Sequence, residues 1–121
     1  GGTGGIRILA ARPIGTPQSN ADDGLWAGDC EPARRLTRAD GTIMQLHSVR
    51  PVEPFLTLKQ VLKVYRKDGL YVQLELLNFG SPDLAPAPDQ PGWIRTGPGR
   101  ANLPLTEEQF SRLGSAIAEG A

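Results

Sequence analysis

Apolar and polar positions alternate most clearly from Leu70 to Phe79. Leu70, Val72, Leu74 and Leu76 fall on one side of an extended chain, and Tyr71, Gln73, Glu75, Leu77 and Phe79 on the other. This predicts a strand, and Leu77 and Phe79 make its second side apolar enough that both sides are expected to be partly covered. Upstream, Val61–Arg66 carries β-branched and aromatic residues suited to a pleated surface. Asp68-Gly69 lies between the two stretches and supplies a turn, because Gly takes up positive φ without strain and Asp tolerates it. The pair reads as a β-hairpin. A helical pattern competes over the incoming arm. Thr57 with Gln60 has the form of a capping box, and Leu58, Val61, Leu62 and Tyr65 recur at helical spacing. On that reading Lys59, Lys63, Arg66 and Lys67 form a wet helical face that Gly69 ends.

The hairpin reading gains from a near-repeat. "RADGTIMQL" at Arg38–Leu46 and "RKDGLYVQL" at Arg66–Leu74 share five of nine residues, each with Asp-Gly between strand-forming stretches. Two short copies do not make a solenoid. Elsewhere Ile6–Arg12 reads as a strand before Pro13, Gly15–Asp23 as loop, Leu25, Trp26 and Cys30 as an apolar cluster, and Thr42–Val49 as a strand. Gly80–Gly99 holds Pro82, Pro86, Pro88, Pro91 and Pro98, which remove ladder donors. It is expected to be a long connector with one short strand at Trp93–Thr96 and a second candidate following at Ala101–Leu105. The clearest helix begins at Thr106. Thr106 and Gln109 form a capping box, Glu107 and Glu108 suit the first turn, Phe110, Leu113, Gly114 and Ile117 make a stripe, and Gly120 stops it. The expected fold class is α+β, an antiparallel β-sheet built from hairpins with one C-terminal α-helix packed on it. Residues 1–5 are expected to be a remnant or flexible tail. Residues 6–121 are expected to form one domain, with a β-rich N-terminal extension over 6–54 and a ββββα module over 55–121.

Length and composition narrow the function. A chain of 121 residues and 13.0 kDa holds one core, and fifteen Gly with eleven Pro imply plentiful loops. No apolar run approaches the roughly 18–20 residues of a membrane span, so no membrane partner is expected. Thirteen basic residues balance thirteen acidic ones, and neither half is polarised, so a charge-driven site would have to be local. The single Cys30 excludes an intrachain disulfide and a Cys-based zinc site, and favours a reducing, intracellular setting, cytoplasmic or nuclear.

Catalytic groupings are sparse. His47 is the only histidine, and nothing near it supplies a nucleophile elbow; with Cys30 it reads as a structural strand histidine beside a small thiol. The pairs Asp22-Asp23 and Glu107-Glu108 are sequence neighbours that point apart or serve a helix start. Asp29 and Glu31 lack calcium-loop spacing. No enzyme activity, metal or cofactor is expected. "GPGR" at Gly97–Arg100 lacks the ending of a nucleotide-binding loop, yet with Arg95 it places two guanidiniums near a glycine-rich turn. What remains is a binding surface. Single-stranded nucleic acid is held by cations along a sheet with aromatic faces for stacking. Lys59, Lys63, Tyr65, Arg66, Lys67, Tyr71, Phe79, Trp93, Arg95 and Arg100 supply those types in an interleaved order.

Two stretches carry a family resemblance. "VYRKDGLYVQLELLNF" at Val64–Phe79 and "GPGRANLPLTEEQFSRLGSAI" at Gly97–Ile117 resemble the single-stranded-DNA-binding domain of the positive cofactor four transcriptional coactivators and their bacterial relatives. The resemblance covers the last 67 residues. It implies two long strands, two short ones and a terminal helix, with a homodimer formed through helix and sheet. It also implies phosphate and base contacts from Arg66 at the turn, Phe79 at the strand end and Arg100 before a short strand. The chain departs from the family pattern where the family carries a basic residue within the second strand and this chain has Leu76 or Leu77, in its longer Pro-rich connector, and in residues 1–54, which have no counterpart. The expected function is therefore non-catalytic binding of single-stranded DNA or RNA, with a transcription-related role implied by the resemblance. The alternative is a β-rich assembly subunit whose Leu-rich strand faces and Pro-rich connector dock a protein.

Overall fold

The computed structural model describes residues 4–25, 32–52, 57–79, 84–95 and 102–120. In chain order the elements are β1 (Gly5–Ala11), α1 (Pro17–Asp23), β2 (Arg34–Thr37), β3 (Ile43–Leu46), β4 (Arg50–Val52), β5 (Thr57–Tyr65), β6 (Tyr71–Leu77), β7 (Leu84–Pro86), β8 (Trp93–Arg95) and α2 (Glu107–Ala118). The fold is α+β. Five strands follow one another across an antiparallel sheet in the order β1-β6-β5-β3-β2, with β4 also paired to β5. Strands from both halves of the chain thus share one sheet. β7 and β8 pair only with each other.

Residues 57–65 form a strand, so the helical pattern there does not prevail. Alternation decides it: Leu62 and Val64 face one side of the sheet with Val72, Leu74 and Leu76, where all five are buried. A helix over the same residues would leave β6 without its central partner. The repeated Arg-x-Asp-Gly segment proves to be one turn used twice. In the first copy the Arg38 N–H donates to the Thr42 carbonyl at 2.8 Å and Gly41 N–H to the Arg38 carbonyl at 3.1 Å. In the second, Arg66 N–H donates to Leu70 at 2.9 Å and Gly69 N–H to Arg66 at 3.0 Å. Gly41 and Gly69 take φ of 95° and 91°, the left-handed residue that closes a three-residue hairpin loop. The Asp carboxylates brace the turns by accepting from Thr42 N–H at 2.9 Å and Leu70 N–H at 3.1 Å. Because β3 pairs with β5, the two turns lie side by side, joined by Lys67 N–H donating to Thr42 Oγ1 at 3.1 Å.

β3 and β4 together run along one flank of β5 with a bulge between them. Ile43 faces Tyr65 and Leu46 faces Leu62, but Arg50 faces Lys59, where an unbroken register would bring Leu58. One extra residue is accommodated between His47 and Arg50. α2 lies across β5 and β3. Its Thr106–Gln109 capping box forms as the sequence predicts, with Gln109 N–H donating to Thr106 Oγ1 at 3.2 Å and Thr106 N–H to Gln109 Oε1 at 2.9 Å. Phe110, Gly114 and Ala118 are its buried line, with Leu113 and Ile117 beside them. They close the core over Met44, Leu62, Val64, Val72, Leu74 and Leu76, and a fully buried side chain of this size contributes about 1.5–3 kcal/mol. Leu103 and Leu105 extend that cover.

Three local expectations are corrected. Gly15–Asp23 contains α1, started by a Thr16–Ser19 capping box with Pro17 in the first turn and held by Ala21, buried against Ile43 and Tyr65 on the opposite sheet face. The Pro-rich connector contains β7, whose Pro86 sits opposite Trp93 in a two-stranded ribbon with no further partner strand among the described residues. Residues 102–105 form no strand.

Candidate functional site

The residues predicted to bind nucleic acid are spread over three settings. Lys59, Lys63, Tyr65, Tyr71 and Phe79 belong to β5, β6 and the residues just after them; the first four share the sheet face on which α1 lies. Arg66 and Lys67 are in the second turn. Trp93 and Arg95 belong to β8 by their backbone, and Arg100 lies outside the described residues, as does Cys30.

On the α1 face the sheet's polar residues interlock. Tyr65 is 5% exposed and lies 5.0 Å, ring centre to ring centre, from the half-buried Tyr71. Gly24, just after α1, permits this cover, since a Cβ there would stand 2.6 Å from the Tyr65 hydroxyl. Lys63 is also buried, its Nζ donating to the Gly24 carbonyl at 3.2 Å. Tyr71 donates its hydroxyl to Gln73 Oε1 at 2.6 Å, Gln73 donates to Glu75 at 3.3 Å, and Lys59 pairs with Glu75 at 3.2 Å. Burial pushes the phenols of both Tyr65 and Tyr71 above the usual tyrosine range, and for Tyr71 the neighbouring Tyr65 and Glu75 add to the effect. On the far side of α1, Arg35 donates to Gln45 Oε1 at 2.8 Å and pairs with Asp22 at 2.8 Å. Hydrogen bonds from Gln18 and then Arg35 hold the Asp22 carboxyl low.

The turn cations are engaged as well. Arg66 pairs with Asp68 at 2.8 Å, and Lys67 reaches Asp40 at 4.0 Å. The Leu70 and Thr42 amides keep Asp68 and Asp40 below the ordinary carboxylate range. Arg12 donates to the Asp68 carbonyl at 3.1 Å, and Arg38 pairs with Glu119 at 3.1 Å. These contacts join turns and helix end with signs interleaved, not in a track of one sign.

A second polar cluster lies at the start of α2. Arg34 grips Glu107 through two hydrogen bonds of 2.7 and 2.8 Å, and buried Gln60 donates to both Glu107, at 3.2 Å, and the His47 carbonyl, at 3.1 Å. The hydrogen bonds from Arg34 lead in keeping Glu107 ionised, so this acid ties β2 to α2 besides serving the helix start. His47, just past the end of β3, is 4% exposed, and its backbone N–H donates to the Val61 carbonyl at 3.0 Å. Among the described residues no three side chains of metal-binding type converge, and no helix is long and apolar enough to cross a membrane. An open groove of about 210 Å³ runs between α2 and β2, lined by Leu36, Met44, Leu46, Ser111 and Ser115 with Arg34 at its rim.

Ile6–Arg12 was expected to be a strand and β1 forms there; what sequence reasoning missed is its place at the rim of the sheet. β1 is the terminal strand of the sheet over seven residues, and Ile6, Ile8 and Leu9 are 43%, 66% and 55% exposed. Both helices lie over β3 and β5, and among the described residues only Pro104, against Gly4, packs beside the start of this strand. Exposed apolar edges of such length are normally shortened, charged or covered, because their unpaired N–H and C=O groups accept another strand. The other edge follows that rule: β2 has four residues, two of them Arg, with Arg34 clamped by Glu107. The signal for β1 was present in "IRILAA", which lacks a clean in-out alternation, but its position in the sheet was not.

Comparison with protein-family models, with curated proteins and with solved structures finds no match in any of the three.

Proposed function

We propose that this chain is a non-catalytic assembly module that takes up a β-strand of a protein partner along the open edge of β1. The observation that carries this reading is the long, apolar, uncharged-but-for-Arg7 edge with Ile6, Ile8 and Leu9 in solvent. Strand addition draws its affinity from main-chain hydrogen bonds and its selectivity from alternate side chains, and β1 offers both. The nucleic-acid reading draws less support. Tyr65 and Lys63 are buried, Lys59, Arg66 and Lys67 each face a carboxylate, and the formal charge is zero, whereas phosphate binding rests on a surplus of accessible cations.

The two readings separate in one pair of measurements. A fluorescent heptapeptide of alternating Thr and Val should bind the wild-type chain and lose binding to Ile8→Pro. A short single-stranded oligonucleotide should show no salt-dependent mobility shift. Peptide binding unchanged by Ile8→Pro, or an oligonucleotide shift that weakens steeply with salt, would overturn the proposal.

A further inference from the structure

The ladder of β1 can be followed atom by atom. Arg66 N–H donates to Leu70 and Asn78 N–H to Leu58, so Val72, Leu74 and Leu76 turn their backbone groups toward β5, and Tyr71, Gln73, Glu75 and Leu77 turn theirs toward β1. Within β1 the partners of those residues are Ala11, Leu9, Arg7 and Gly5. Ile6, Ile8 and Ala10 therefore present their N–H and C=O groups to the side of β1 that has no partner strand among the described residues. Six main-chain groups stand in a row on a strand whose side chains at the same three positions are apolar.

Resting on the edge-docking reading above, we infer that the strand taken up is β1 of a second copy, paired antiparallel about a two-fold axis at Ile8. In this register Ile8 faces the partner's Ile8, Ile6 faces the partner's Ala10, and Arg7 faces the partner's Leu9. It is the register that matches all three outward-turned residues with outward-turned residues. A shift by one residue would oppose inward-turned groups. A shift by two toward the N-terminus would set Arg7 directly against the partner's Arg7, a destabilising like-charge pair, and a shift by two the other way leaves Ile6 without an outward-turned partner within β1. Arg7 lies opposite Glu75 of its own β6, the acid that pairs with Lys59.

The axis stands perpendicular to the sheet, so the α2-side faces of the two copies are continuous and Ile6, Ile8 and Ala10 of both form one apolar patch. The five strands that follow one another across each sheet become ten across the joined one. Both helices lie over the strands remote from the axis and do not obstruct it. A sheet-edge contact is small beside the roughly 800 Å² per partner of a standard interface, so a reversible, concentration-dependent dimer is the expected form.

Sedimentation velocity over a concentration series should show the wild-type chain moving from monomer to dimer. Ile8→Pro removes only an outward N–H and keeps every β1–β6 bond, so it should remain monomeric with an unchanged circular dichroism spectrum; Ile8→Lys provides the same test without altering the backbone. The register is tested in a Cys30→Ser background. Ile8→Cys should form a disulfide-linked dimer on mild oxidation, because directly opposed residues lie within disulfide reach, and Ile6→Cys should not. A dimer that persists in folded Ile8→Pro and Ile8→Lys would overturn this inference, and heptapeptide binding unchanged by Ile8→Pro would overturn the edge-docking reading with it. A wild-type chain that stays monomeric yet binds the Thr–Val heptapeptide would overturn the second-copy inference alone. Cross-linking at Ile6→Cys in place of Ile8→Cys would overturn the register.

Discussion

Gly114 packs α2 closely against the sheet, and replacing it by Ala tests how tightly the two are joined. An added Cβ would collide with Leu62 Cδ2 and stand 3.0 Å from Met44 Cε and 3.3 Å from Leu62 Cγ. Leu62 is 1% and Met44 6% exposed, so neither side chain has open space to enter. Two effects oppose each other. Ala in place of Gly inside a helix favours folding by about 1 kcal/mol, whereas one methyl forced into a filled core costs about 1–3 kcal/mol. The Met44 methyl can rotate aside, but a buried branched Leu cannot do so freely, so the second effect should win. Gly114→Ala is expected to lower stability by about 1 kcal/mol, or to lower the melting temperature by about 4 °C. Urea unfolding followed by circular dichroism measures it. Leu62→Val removes the colliding methyl, and in that background Gly114→Ala should be neutral or stabilising, a coupling of about 1 kcal/mol in a double-mutant cycle. A gain of the full helix-propensity increment in the wild-type background would refute the close approach of α2 to β5.

The turn glycines make a second test: Gly41→Ala and Gly69→Ala should each cost about 1–2 kcal/mol through their positive φ alone, since a Cβ at either meets no neighbour, and Asn at either site should recover part of the loss. Acid should weaken the fold. Asp22, Asp40, Asp68 and Glu107 titrate below their ordinary values, so their contribution is complete above about pH 4–5 and is lost as pH falls through the depressed values. Equilibrium unfolding between pH 6 and pH 2 should show that loss, and Glu107→Gln should reduce it. Alkali gives the opposite sign. The chain has two tyrosines, both raised, so the folded state keeps protons that the unfolded state releases above about pH 10, and stability should fall as pH rises from there. Tyrosinate absorbance that appeared at pH 10 in the folded protein would contradict their burial.

The local chemistry of the chain determined much of this architecture. Asp-Gly after Arg specified the same turn at Gly41 and Gly69, period-two alternation specified β6, and Thr106 with Gln109 specified where α2 begins, because each choice involves groups within a few residues of one another. Local rules were weakest where two local patterns overlapped. Thr57–Tyr65 carried helical and extended spacing together, and its pairing with β6, β3 and β4 decided between them. α1 shows the reverse case: its capping residues were legible, but seven mostly polar residues have little helical tendency alone, and Ala21 against Ile43 and Tyr65 holds them.

The candidate site depended almost wholly on tertiary placement. Lys63 and Tyr65 have the residue types of a binding surface, and only the path of α1 and Gly24 over them makes them interior. Glu107 looked like a helix-start acid until β2 brought Arg34 to it from 73 residues away. Ile6–Arg12 was readable as a strand, but whether it lay in the middle of the sheet or at its rim turned on β1 pairing with β6, about sixty to seventy residues along the chain. The sequence by itself determined which segments extend, turn and coil, since those preferences arise from each residue's own backbone and near neighbours. Tertiary structure alone decided which strand lies at the rim of the sheet among the described residues, because that depends on which distant segments close on one another.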